Sequence, residues 1–86
     1  MTKATSAEAL FVSNLQPSDH PSAEQVITAI RGSLADNGGE SGCVVAFVSE
    51  YGEHPDEAAD RMRWALSVVA ATDQTGTVAL TSAVAA

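Results

Sequence analysis

The groups in this sequence that could do chemistry are one cysteine, two histidines, eleven carboxylates and four basic side chains. Cys43 stands where a helix is expected to open, and a helix N-terminus lowers a thiol pKa. That placement suits a reactive thiol or an intermolecular disulfide. A small buried apolar residue is the other reading. No local signature joins Cys43 to a histidine as a nucleophilic pair, and 86 residues leave little room for a substrate cleft. His20 and His54 each precede a proline, a place for turn or cap residues. With Cys43 they would make three zinc ligands, but neither C-x-x-C nor H-x-x-x-H spacing is present to hold them. Gly38-Gly39 and Gly42 form no phosphate loop, lacking a lysine and a preceding strand. The paired carboxylates fall on faces that read as exposed. The expectation is no catalysis, no cofactor and no metal centre.

Recognition chemistry is the stronger theme. The stretch FVSEYGEHPDEAADRMRW holds Tyr51 and Trp64, the sole residues of their types, together with Arg61 and Arg63. At 100° per residue Trp64 lies about 200° around its helix from Met62, away from the apolar stripe and beside Glu57, Asp60 and Val68. An aromatic there is a candidate binding anchor, because Trp is enriched at interface hot spots. The competing reading places Trp64 in the core under the first helix or the C-terminal segment. Glu57 precedes Arg61 by one helical turn, and Asp60 precedes Arg63 likewise, so both arginines are expected in exposed pairs. Trp64, Tyr51, Arg61 and Arg63 form the candidate partner-binding patch.

Four segments must position these side chains. Thr5 and Glu8 have capping-box spacing ahead of Ala7, Leu10, Phe11, Asn14 and Leu15, and Gln16-Pro17 should end that helix. A second box, Ser22 and Gln25, precedes Ala23, Val26, Ile27, Ile30 and Leu34 at amphipathic spacing. Gly32 inside that helix implies a close neighbour or a tolerated weakness, and Asn37-Gly38-Gly39 supplies a left-handed stop. In SGCVVAFVSEYG, the residues Cys43, Val44, Phe47, Val48 and Tyr51 read as a helical stripe ending at Gly52, although CVVAFV alone would suit a buried strand. Pro55 followed by Asp56 and Glu57 opens the fourth helix, which should bury Ala58, Ala59, Met62, Ala65, Leu66 and Val69 and fray near Thr72-Asp73.

The expected architecture is therefore all-α, four short helices as two packed αα-hairpins over residues 1–72, with a flexible C-terminal tail over 73–86. An α+β arrangement with a small βαβ unit is the alternative, should CVVAFV and TVALT both be strands. F-V-S begins at Phe11 and again at Phe47, and His-Pro recurs at His20 and His54, a hint of duplication.

The totals bound the function. An apolar fraction of 45% with 17% charged residues describes a folded chain, and one cysteine excludes an internal disulfide. Four basic against eleven acidic residues, net −7, leave few cations to neutralise phosphates. Nucleic acid and anionic membrane surfaces are disfavoured partners. A helix-turn-helix aligned on Gly52 would carry Asp56, Glu57 and Asp60 on its recognition helix, where carboxylates repel phosphates. No stretch is long and apolar enough for a membrane span or a signal peptide, so a cytoplasmic location is expected.

The pattern LQPSDHP at Leu15–Pro21 and the Y-G-x-H-P…R-M-R-W-A string over Tyr51–Ala65 resemble a group of small acidic actinobacterial proteins without an assigned activity. The resemblance spans roughly residues 9–69 and implies a cytoplasmic, all-helical protein. It carries no catalytic residue across. The reading that follows is a small cytoplasmic adaptor or regulator acting through protein–protein contact, including homodimerisation; DNA binding through the fourth helix is the alternative.

Overall fold

The computed structural model describes the backbone of residues 1–85 and the side chains of residues 1–72. It contains α1 (Lys3–Phe11), a 3-10 turn over Pro17–Asp19, α2 (Ala23–Asn37), α3 (Glu40–Glu53) and α4 (Pro55–Ala85), with no strand among the described residues. CVVAFV is helical. The hairpins α1–α2 and α3–α4 pack into one bundle in which every helix touches the other three. Side chains of the expected tail, residues 73–86, lie outside the described residues.

Local chemistry sets most of the helix ends. Thr2, not Thr5, caps α1: its hydroxyl accepts from the Thr5 N–H at 3.1 Å, so the helix opens earlier than the Thr5-x-x-Glu8 spacing implied. The Ser22 box forms as expected, with Gln25 N–H to Ser22 Oγ at 3.2 Å and Ser22 N–H to Gln25 Oε1 at 2.8 Å. Gly38 and Gly39 take φ of 76° and 97°, and both N–H groups return to the Leu34 carbonyl, so two residues suffice to turn α2 into α3. Pro55 starts α4 directly after His54. Gly52 sits inside α3, and a lone residue between the helices is shorter than the three- or four-residue turn of a helix-turn-helix.

α1 behaves differently. It stops at Phe11, well before Pro17 would require it. Ser13 contributes to the break: its N–H and its hydroxyl both donate to the Leu10 carbonyl, at 3.1 and 2.6 Å, and its Oγ accepts from Leu15 N–H at 3.3 Å. A serine hydroxyl that serves the backbone in this way competes with helix continuation.

The core consists of Ala7, Ala9, Leu10, Val26, Ile30, Cys43, Ala65 and Val69, mostly small side chains that let the helices approach closely. On α4 the buried arc keeps most of the expected stripe, Met62 included, but is shifted away from Leu66. Ala58, Ala65 and Val69 are buried, Leu66 is exposed, and the opposite flank, Trp64 and Val68, packs on the core. The F-V-S echo has a partial physical counterpart. Phe11 and Phe47 meet edge to face at 4.9 Å, yet Ser13 follows a helix end while Ser49 lies within a helix, so the two copies are not equivalent.

At Gly42, α3 comes very close to the end of α2. A Cβ on Gly42 would come within 1.5 Å of the Asn37 carbonyl oxygen, whereas one on Gly32 would meet nothing within 4 Å. Gly42 is thus required by packing, and Gly32 is the tolerated weakness. Gly42→Ala is expected to cost about 2–3 kcal/mol through forced displacement of backbone. Gly32→Ala should add up to about 1 kcal/mol. Urea unfolding midpoints of the two variants, moving in opposite directions, test both statements.

Candidate functional site

At the end of α1 the Glu8 and Leu10 carbonyls accept from Val12 and Ser13, the Phe11 carbonyl has no backbone donor, and the chain then runs irregularly to Pro17. Arg61 answers that deficit from α4. Its Nε donates to the Phe11 carbonyl at 2.7 Å, and its Nη2 donates to the carbonyls of Ser13 at 3.0 Å and Leu15 at 2.9 Å. A guanidinium suits this role because its planar fork serves several acceptors at once and its positive charge complements the negative end of the α1 dipole. The expected Glu57–Arg61 surface pair is therefore corrected: Arg61 turns inward and is half-buried. Burial lowers its pKa from the usual value, and an arginine nevertheless keeps its proton.

The same guanidinium lies 5.0 Å from the Trp64 ring centre and 5.6 Å from that of Phe11. Phe11 meets Phe47, and Phe47 meets Tyr51 at 5.9 Å. All four aromatic residues of the protein thus join one chain, Trp64 to Tyr51, with Arg61 as its second link. Trp64 is half-buried and packs against the core, which favours the structural reading of that residue. Tyr51, at the far end, is 46% exposed. Arg63 is exposed and pairs with Asp60, as its spacing implied. Of the four candidate contact residues, Tyr51 and Arg63 face solvent, while Arg61 and Trp64 are largely occupied in holding α1 and α4 together.

α3 shows what the sequence reading missed. The helical stripe divides: Cys43 is buried and Phe47 half-buried, whereas Val44 and Val48, and Val45 beside them, are 40%, 58% and 69% exposed. The signal available in the sequence was side-chain size. Gly42, Cys43 and Ala46 are small residues that cluster on one side of the helix, and such a cluster marks the side where helices meet closely. The valines point away from that side.

Cys43 is not activated. Its Sγ donates to the Ser33 carbonyl at 3.6 Å, and burial, with the Glu8 and Glu40 carboxylates adding to it, pushes the thiol pKa up. This reverses the dipole argument: the first-turn position would lower the pKa, and enclosure wins. Glu8 Oε2 is itself buried without a hydrogen-bond partner. His20, in the left-handed region at φ 46°, closes the 3-10 turn, and His54 closes α3; both are exposed helix-end residues. Among the described residues no three His, Cys, Asp or Glu side chains are grouped to hold a metal ion, and no helix is long and apolar enough to cross a membrane. A cleft of about 390 Å³ beside Arg61 is lined by Phe11, Val12, Ser13, Gln16, Ala46 and Glu50, and a larger one of about 550 Å³ runs between α2 and the Val12–Leu15 segment. Comparison with protein-family models, with curated proteins and with solved structures gives no match.

Removing the Arg61 fork leaves three carbonyls without their charged donor. Arg61→Met should cost roughly 3 kcal/mol, and Arg61→Lys should recover only part of it, since an ammonium cannot serve the same three acceptors in one plane. Chemical unfolding followed by Trp64 fluorescence measures both. For Cys43, thiol labelling in the native protein should be at least a hundredfold slower than in denaturant. Because the folded thiol ionises above the unfolded one, its contribution to stability is complete below roughly pH 8.5 and is lost as pH rises through the folded value. That decline should be smaller in Cys43→Ala.

Proposed function

We propose that this protein is a small cytoplasmic adaptor or regulator that works through contact with another protein and performs no catalysis. The observation that carries the reading is the outer face of α3, where Val44, Val45, Val48 and Tyr51 expose apolar surface side by side. Single exposed apolar residues are ordinary on a protein, but a contiguous group on one helix marks an interaction surface. Tyr51 supplies the aromatic anchor that the sequence had assigned to Trp64, and Trp64 supports it from inside through Arg61, Phe11 and Phe47. Arg63 stands outside this face as a rim charge on α4.

The residues with catalytic potential have structural occupations that fit the same reading. Cys43 is enclosed, the arginine in the cleft is committed to backbone carbonyls, and both histidines close helices.

A photo-crosslinking residue placed at Val45 or Val48 in the producing cell tests the proposal. Discrete higher-mass adducts are expected from both positions and not from Glu24, an exposed position on α2. Adducts of equal yield at all three, or none, would sink it. The double variant Val45→Asp, Val48→Asp should lose the adducts formed from Tyr51 while its stability stays within about 0.5 kcal/mol, as surface changes usually do.

A further inference from the structure

Resting on α3 as the contact surface, we infer that its occupant is an amphipathic α-helix whose apolar stripe is flanked by lysine or arginine. Val44, Val48 and Tyr51 recur at i, i+4 and i+7, with Val45 beside them, which is the spacing that receives the anchors of a partner helix. At 100° per residue, Ser41, Val44, Val45, Val48, Tyr51 and Gly52 fill an arc of about 120° that carries no charge. Ser41 and Gly52 lie inside that arc, one near each end of the helix, and the space around Gly52 is open, so another backbone can come close there.

The edges of the arc decide between occupants. Glu40 stands about 20° past the Tyr51 edge and Glu53 about 80° past the Val45 edge, both exposed, and the one ion pair among the described residues is Arg63 with Asp60. The chain as a whole carries net −7. A second copy crossing α3 antiparallel would set Glu40 of one copy against Glu53 of the other, and a parallel crossing would set like residues together. Either arrangement opposes carboxylates. The face is also too small for a dimer: a stable interface takes about 20–30 residues a side, and one helix face offers six. A short helix with basic flanks meets both conditions. It places apolar side chains on the valines and Tyr51, sets a cation against Glu40 at the Tyr51 edge, and is drawn in by the acidic field of a chain of net −7.

The test uses two synthetic 18-residue peptides of identical Leu, Lys and Ala composition. One places Leu on a single helical face with Lys on both flanks; the other scrambles the order so that no face forms. The ordered peptide should bind with saturable 1:1 stoichiometry at least tenfold more tightly than the scrambled one, with amide NMR shifts centred on Val44, Val45, Val48 and Tyr51. Val45→Asp, Val48→Asp should weaken it tenfold or more with an unchanged circular dichroism spectrum. Equal binding of the two peptides, or shifts centred elsewhere, would overturn the inference. If sedimentation instead shows a dimer that the double variant converts to monomer, α3 remains the contact surface but its occupant is a second copy, and the helix inference fails. Crosslinks from Val45 in cells without peptide binding would also overturn the inference while leaving the contact surface in place. Failure of both removes both.

Discussion

The interaction on which the rest of the structure depends is the set of three hydrogen bonds from Arg61 to the carbonyls of Phe11, Ser13 and Leu15. They satisfy the end of α1, fix the irregular segment that follows it, and set the rotation of α4. With the guanidinium turned inward, Trp64 is carried onto the core and Leu66 is carried out to solvent. The aromatic chain from Trp64 to Tyr51 is assembled on the same group. A charge in so small a bundle is ordinarily a liability because its solvation is lost on burial. Here the group is only half-buried, and polarised carbonyls with two ring faces replace much of the lost water.

The opposite end of the economy of the fold is the α2–α3 turn, which depends on having almost nothing. Gly38 and Gly39 provide the two left-handed residues, and Gly42 lets the first turn of α3 lie against the Asn37 carbonyl. The close approach brings Cys43 under Ser33, which encloses the thiol and keeps it protonated. Leaving the inner side of α3 to glycine, cysteine and alanine also turns the valines outward. The apolar face of α3 is thus a direct result of the tight packing behind it.

Much of this was legible in the sequence. The four helices, the two hairpins, the Ser22 box, the glycine stop after Asn37 and the proline start of α4 all follow from local rules about donors, acceptors and φ. The helical rather than extended reading of CVVAFV also follows, once Tyr51 and its neighbours are counted into the period. What escaped was decided by partners distant in the chain. Nothing near Arg61 in sequence indicates that carbonyls some fifty residues earlier will outcompete Glu57, one turn away. Which side of α3 turns inward did not follow from the apolar spacing, because hydrophobicity ranks valine above glycine and alanine, whereas close packing ranks them the other way. The true cap of α1 at Thr2 was masked by Thr5, which has Glu8 at capping-box spacing where Thr2 has only another threonine.

The three bonds made by Arg61 join residues 46 to 50 positions apart, and this has a consequence for how the chain acquires its shape. The turns at Gly38-Gly39 and at His54 are local and close quickly, because little chain entropy is lost in doing so. The geometry of the Val12–Gln16 segment is local only in part. Ser13 ends α1 locally, through its bonds to the Leu10 carbonyl and from Leu15 N–H, but the carbonyls of Phe11, Ser13 and Leu15 gain their charged donor only once α4 is in place. The core is built mostly of small side chains, and here the finishing of α1 waits on one side chain of α4.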